Sequence, residues 1–259
     1  MAVLRSLLFN ITFFGYGLIN AIVMLPWLPA SRASTVRGLR HWANAVFWCL
    51  DKIIGLRYEV RGLENLPDGP AILASKHQSA WDTGFFFQIA GDPAYVLKKE
   101  LLRVPMFGWY LAKVGMIAVD RNAGASAMKK MVKDAAGVIK EGRKVVIFPE
   151  GTRTEPGEHT TYHPGVAAMD KAVDAPVIPV ALNSGLFWGP KRFIKRPGIV
   201  TVEFLPALPK GLRSRDLMQQ LEEAIETASN RLKQEGETQF LPPQEAWTTH
   251  PVDNGDKSV

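Results

Sequence analysis

Apolar positions fall into two regimes along this chain. From Ser6 to Ser31 no residue carries a charge. As a helix that run is about 39 Å long, against about 30 Å of bilayer hydrocarbon, so it is long enough to cross a membrane. Asn10, Asn20, Pro26 and Pro29 interrupt it, which leaves crossing and half-insertion both open. A second apolar stretch, HWANAVFWCLDKIIG from His41, carries Trp42 and Trp48 and is short for a crossing. From about residue 57 the pattern changes to short β-branched runs alternating with helical periodicity. RYEVRG, PAILAS, AYVL, GMIAV, KVVIFP, APVIPVAL and GIVTVEFL read as strands. Helices are expected near 83–90, 106–113, 126–142, 165–173 and 212–235. The third of these, SAMKKMVKDAAGVIKEG, places its apolar residues on one face before Gly142.

Strands separated by helices of this length predict an α/β fold, a mixed, mostly parallel sheet flanked by helices. Three segments are expected: a hydrophobic two-helix membrane anchor over 1–56, a catalytic domain over 57–235, and a flexible tail over 236–259. Pro179, inside APVIPVAL, predicts an edge strand or a bulge there.

Composition sharpens the partner more than the fold. The 259 residues carry a net charge of +6, with one cysteine and five scattered histidines. Cys49 alone excludes an internal disulfide, and with no HExxH or CxxC no zinc or other metal site is expected. The first fifty residues hold Arg5, Arg32, Arg37 and Arg40 but no lysine and no acid. Arginines between apolar helices edged by tryptophan predict contact with an anionic membrane surface. Nucleic acid is not an expected partner, because the basic residues form no recognised module and the aromatics gather in the anchor.

Reactive groups in open α/β sheets collect where strands end. KHQSAWDT follows the strand PAILAS. Its His77 and Asp82 would point about 140° apart on one continuous helix, so they meet only if QSAW turns. Asp82 can otherwise be read as a plain helix cap. GMIAVDR ends in Arg121. FPEGTRT delivers Glu150, Gly151, Thr152 and Arg153 straight from a β-run. Gly151 permits a tight turn with exposed N–H groups, and Arg153 offers a planar fork to a phosphate or carboxylate. KRFIKR, 191–196, reads either as part of a basic face, for lipid or for coenzyme A phosphates, or as a solvated loop.

With these blocks in this order, the chain resembles the glycerolipid acyltransferase family over about residues 57 to 210. The family's marks are a histidine and aspartate separated by four residues (His77, Asp82) and a glycine followed six positions later by arginine (Gly115, Arg121). The unbroken FPEGTR run and a proline-centred apolar block, here VIPVAL, complete them. The resemblance implies a glycerol-3-phosphate acyltransferase-like fold. It also implies transfer of a fatty acyl group to the 2-hydroxyl of lysophosphatidic acid, from a thioester of acyl-CoA or acyl carrier protein. His77 would then be the general base and Asp82 the holder of its tautomer. Arg121 and Arg153, with Lys98 as a third cation, would bind the acceptor phosphate. Glu150, Gly151 and Thr152 would complete the substrate site, with Glu150 on the glycerol hydroxyls or holding Arg153. Backbone N–H groups near Gly151, or at the helix start beyond Asp82, would meet the oxyanion.

No GxSxG elbow is present and Cys49 lies in the anchor, so direct attack without an acyl-enzyme is expected. No cofactor is needed. The implied location is the bacterial inner membrane, with the catalytic domain at the cytoplasmic face. The rival readings are an acyltransferase for another acceptor (a lyso-ornithine lipid, a lysophospholipid with a head group, or glycerol-3-phosphate itself), a non-catalytic anionic-lipid-binding membrane protein, and a hydrolase. Oligomeric state and acyl chain length have no signature in these residues.

Overall fold

The computed structural model describes residues 1–240, so most of the expected tail (241–259) lies outside the described residues. Seven strands form one sheet: β1 (Leu56–Arg61), β2 (Ile72–Ser75), β3 (Ala94–Lys98), β4 (Ile117–Val119), β5 (Val145–Ile147), β6 (Val177–Leu182) and β7 (Gly198–Phe204), in the order β1-β7-β6-β2-β5-β3-β4. The strands β6, β2, β5, β3 and β4 run parallel; β7 is antiparallel to β6, and β1 is parallel to β7. This is the expected mixed, mostly parallel sheet. All five parallel strands therefore end on one edge.

The central strands are buried on both faces, which is why they read as unbroken apolar runs rather than alternating ones. Leu73, Val146 and Ile178 face one apolar cluster, while Ile72, Val145 and Val177 face another. Helices α1 (Ala2–Val23), α2 (Arg32–Cys49), α3 (Trp81–Ile89) and α4 (Phe107–Lys113) cover the first face; α5 (Gly124–Lys140), α6 (Gly165–Asp170) and α7 (Ser214–Glu237) cover the second. α7 and the turn after it carry regular structure through Phe240, and Gln239 Oε1 accepts the Ile199 N–H at 2.8 Å. Residues 236–240 thus belong to the folded body rather than to a tail.

Pro179 does not mark an edge. β6 is fully buried between β2 and β7. The β6–β7 ladder covers only Val180–Leu182, and just beyond it the Pro179 carbonyl accepts the Leu205 N–H at 2.9 Å. The missing proline N–H falls on the side where that ladder has ended, so no rung is lost.

The expected two-helix anchor also needs correction. Only α1 is long and apolar enough to cross a membrane among the described residues. α2 buries Val36, Leu39, Ala43 and Val46 in the same cluster as Phe85 and Phe204, so it is a core helix. α1 itself is fastened at both ends. Near its start Phe9 is fully buried, edge-on to Trp188 at 5.4 Å. There Lys195 donates its N–H to Ser6 Oγ at 2.9 Å and its ammonium to Asn10 Oδ1 at 2.6 Å. Near its end Tyr110 donates its hydroxyl to the Ala21 carbonyl at 2.5 Å. Past the turn Arg32 lies 2.7 Å from Asp92, close in distance though not aligned as a hydrogen bond. KRFIKR is correspondingly not a free basic loop. Lys195 is buried, Arg192 pairs with Glu155 at 2.9 Å, and Arg196 lies over the Phe240 ring.

Phe85 is fully buried, stacked on Trp81 at 5.1 Å and edge-on to Tyr58 at 5.6 Å. Truncation leaves an aromatic-sized cavity, so Phe85→Ala is expected to lose about 3–5 kcal/mol of stability. Denaturant unfolding of the detergent-purified protein, followed by tryptophan fluorescence, measures it.

Candidate active site

β2 ends at Ser75, and the chain then turns through Gln78 and Ser79 before α3 begins at Trp81. The turn is organised by a carboxylate. Asp82 Oδ2 accepts the N–H of Gln78 at 2.7 Å and of Ser79 at 2.8 Å, and lies 2.9 Å from His77 Nδ1. Asp82 Oδ1 accepts the Ser184 hydroxyl at 2.6 Å, from the loop after β6. The side chain is fully buried, so four donors replace the water it gave up. Asp82 is therefore not the expected helix cap: α3 has no side-chain cap, and the carboxylate instead holds the turn ahead of the helix together with the His77 ring. The imidazole stacks on Phe148 with ring centroids 3.9 Å apart and planes 16° apart. Nδ1 faces Asp82 and so carries the proton in the neutral ring, which leaves Nε2 as the basic nitrogen.

Beside it the chain leaves β5 through Phe148 and Pro149 into the Glu150–Thr154 turn. His77 clasps this turn through its backbone: its N–H donates to Glu150 Oε2 at 2.7 Å, and its carbonyl accepts the Thr154 N–H at 2.9 Å. Glu150 departs from expectation. It is 1% exposed, and its other oxygen accepts from Thr154 Oγ1 at 2.8 Å and pairs with Lys76 Nζ at 2.6 Å. Both oxygens are engaged inside the protein, so Glu150 meets neither a glycerol hydroxyl nor Arg153. Burial holds its carboxyl above the usual range, while Lys76, Thr154 and the His77 N–H pull it back. Lys76 in turn pairs with Glu226 of α7 at 2.6 Å, and Tyr162 donates to the same Glu226 oxygen at 2.8 Å. Burial, then Glu150 and Glu226, push the Tyr162 phenol far up, which keeps it a donor.

Gly151 is required twice. Its φ is +68°, and a Cβ there would lie 2.9 Å from the His163 ring. Its carbonyl accepts from the Arg121 guanidinium, which brings the second and third sequence blocks together. Gly115 closes α4 at φ +73°, letting β4 start where it delivers Arg121 to the same edge. Arg121, Thr152 and Arg153 are all exposed. Arg153 makes no ion pair among the described residues. Lys98 ends β3 on the same edge and is exposed, while Lys99 lies 3.3 Å from Asp120. Of the expected oxyanion donors the Gly151 N–H is occupied, and so are the N–H groups of the turn just ahead of Asp82. The N–H groups of Gln78 and Ser79 serve Asp82, that of Trp81 serves Ser79 Oγ at 3.1 Å, and that of Gly151 serves the Phe148 carbonyl at 2.9 Å.

Sequence reasoning missed Lys76, Ser184, Thr154 and Glu226. The first two had a readable signal, since each lies at the end of a wholly apolar strand. Glu226 had none: it sits in the polar pattern of a long amphipathic helix. Among the described residues no cluster of histidine, cysteine or acid could hold a metal ion.

The arrangement is an imidazole held by a buried carboxylate, with two exposed arginines on the same open edge. A family model described as Acyltransferase matches residues 57–183. The 1-acyl-sn-glycerol-3-phosphate acyltransferase of Pseudomonas aeruginosa is 38% identical over 206 residues, 80% of this chain and 79% of that protein. The enzyme of the same name from Saccharomyces cerevisiae is 28% identical over 231 residues, 86% of this chain and 74% of its own. Among solved structures, the 1-acyl-sn-glycerophosphate (LPA) acyltransferase PlsC from Thermotoga maritima matches with a TM-score of 0.67 at 22% identity. The match covers 90% of this chain and 96% of that one, and shows a shared fold. Fold, blocks and relatives agree, and the chain belongs to the glycerolipid acyltransferase family, as a membrane-associated enzyme related to the bacterial 1-acyl-sn-glycerol-3-phosphate acyltransferases.

Proposed function

We propose that this enzyme acylates the 2-hydroxyl of 1-acyl-sn-glycerol-3-phosphate, using a thioester of coenzyme A or acyl carrier protein, to give phosphatidic acid. The observation that carries the reading is the Asp82-held imidazole on the same strand-end edge as the Arg121–Gly151 contact and Arg153. His77 Nε2 takes the hydroxyl proton as the oxygen attacks the thioester carbonyl. The C–O bond forms, the C–S bond breaks, and the proton passes to the departing thiolate. Asp82 holds the ring and stabilises the imidazolium between these steps. Arg121 and Arg153 bind the acceptor phosphate, with Lys98 at the rim; they touch no reacting atom and act by orienting the hydroxyl. The N–H groups of Thr152 and Arg153, on the exposed turn after Gly151, are the available donors for the developing oxyanion.

The membrane role belongs to the outer side of α1. Leu4, Leu7, Leu8, Ile11, Phe14 and Leu18 are each exposed there. We read α1 as lying along one leaflet, because both its ends are fastened to the same catalytic body. The catalytic domain then faces the cytoplasm at the bacterial inner membrane, where acceptor arrives laterally and donor from water.

His77→Ala is expected to lower kcat by about 10²–10⁴-fold, with folding and membrane binding retained. Asp82→Asn should also lower kcat, by a smaller factor. The amide oxygen can still accept from Nδ1–H while its NH2 turns to Ser184, and only the charge that stabilises the imidazolium is lost. A His77→Ala enzyme with full acyl transfer in a radiolabelled thioester assay would end this reading. Arg153→Ala should raise the acceptor KM about tenfold or more with a smaller change in kcat, as expected for binding that is uniform along the reaction path. An unchanged acceptor KM would remove Arg153 from the phosphate site. For α1, cysteines placed at Val3 and Ala30 in a Cys49→Ser background should both react with an impermeant maleimide from the same side of sealed vesicles. Labelling from opposite sides would show a crossing helix instead.

A further inference from the structure

Beneath the catalytic histidine lies a chain of buried charge that the acyl-transfer scheme does not use. It runs from Glu226 of α7, through Lys76, to Glu150, and ends on the backbone N–H of His77. Lys76 is 1% exposed, immediately precedes His77, and donates its own N–H to the Val180 carbonyl at 2.9 Å as the last rung between β2 and β6. An ammonium this deep is tolerated only with compensating charge, and two carboxylates at 2.6 Å provide it. The Glu158 carbonyl, at 3.5 Å, is its third acceptor. Glu150, gripped on one oxygen by Lys76 and Thr154, offers the other to His77.

We propose that Lys76 is a positioning residue for catalysis: it orients Glu150, and through it the His77 backbone, and so ties the aim of the imidazole to α7 by way of Glu226. Glu150 is accordingly an internal strut and no part of the acceptor site. The pairing must be matched in donors and acceptors at each oxygen. Lys76→Met leaves Glu150 buried without its main counter-charge. Glu150→Gln leaves an amide with one acceptor oxygen where three donors converge, so either its NH2 opposes the His77 N–H or it opposes the ammonium. The double change removes the conflict. The glutamine oxygen then accepts from His77, its NH2 donates to Thr154 Oγ1, and the thioether that replaces the ammonium demands no partner.

The inference rests on His77 being the base, and its test is separable from that one. Kinetics on detergent-purified wild type, Lys76→Met, Glu150→Gln and Lys76→Met/Glu150→Gln, with melting curves for each, form a double-mutant cycle. Each single variant is expected to lose about tenfold or more in kcat, with acceptor KM within about threefold of wild type, and the double variant to recover most of the loss. A double variant that melts like wild type yet is no better than Glu150→Gln overturns the proposal, as does an acceptor KM raised tenfold by Glu150→Gln alone. Should a single variant fail to fold, Glu226→Gln, which keeps the Lys76–Glu150 pair, replaces it. A fall of about threefold or more in kcat at unchanged KM supports the link to α7, and wild-type kcat overturns it. Loss of activity in His77→Ala together with failure of the rescue would leave the catalytic reading intact and remove only this one.

Discussion

Asp82 is a carboxylate with no solvent exposure, and an isolated buried anion of that kind is not tolerated. Its compensation decides the local fold. The two N–H groups of Gln78 and Ser79 reach one oxygen only if the chain turns immediately after β2, and that turn swings His77 Nδ1 onto the same oxygen. Ser184 supplies the remaining donor from the end of β6. The aim of the imidazole therefore follows from neutralising a charge, with the neighbouring strand as the second anchor. The turn into α3 and the orientation of the imidazole are one set of hydrogen bonds.

The charged groups of the site divide by depth. Lys76 and Glu150 are buried and paired with each other, and Asp82 is buried with its oxygens engaged by His77, the turn and Ser184, so little is left over for a ligand. Arg121, Arg153 and Lys98 are exposed, and among the described residues Arg121 donates to a backbone carbonyl rather than to an acid. Buried pairs hold geometry because breaking one leaves an uncompensated charge, whereas exposed cations lose little when they turn to an anion. FPEGTR contains both kinds within four residues: Glu150 faces inward and Arg153 outward, with Gly151 making the reversal.

This division explains what could be read from the sequence. The strands and most helices were legible because burial on both faces writes an unbroken apolar run, and α5 because its apolar face repeats at helical spacing. His77, Asp82 and Arg121 were legible as polar residues directly after such runs. Glu150 was placed on the wrong side of the turn, since spacing does not say which way a side chain points once a residue with positive φ intervenes. Pro179 misled because the penalty for a proline depends on which neighbour its nitrogen faces, and the register with β7 is not a local property. α2 misled because an apolar helix bordered by arginines looks alike whether it meets lipid or the first face of the sheet. Glu226 lies 150 residues from Lys76 and had no local mark.

The geometry of α1 favours lying over crossing when what each arrangement must undo is compared. To stand across a bilayer, α1 would have to withdraw Phe9 and Met24 from the core and break the Lys195 bonds to Asn10 and Ser6. Each large apolar side chain removed from burial costs about 1.5–3 kcal/mol where water refills the site. Lying flat undoes none of these contacts and still buries Leu4, Leu7, Leu8, Ile11 and Phe14 in lipid, each with a gain of similar size. The apolar contacts that hold α1 to the body and those it offers to a leaflet are on different sides of one helix, so they add rather than compete. The edge where β2, β5, β3, β4 and β6 end then stays fixed relative to the bilayer. In the mechanism proposed for His77, a base aimed by buried hydrogen bonds is of use to a lipid hydroxyl only if that relation is also fixed.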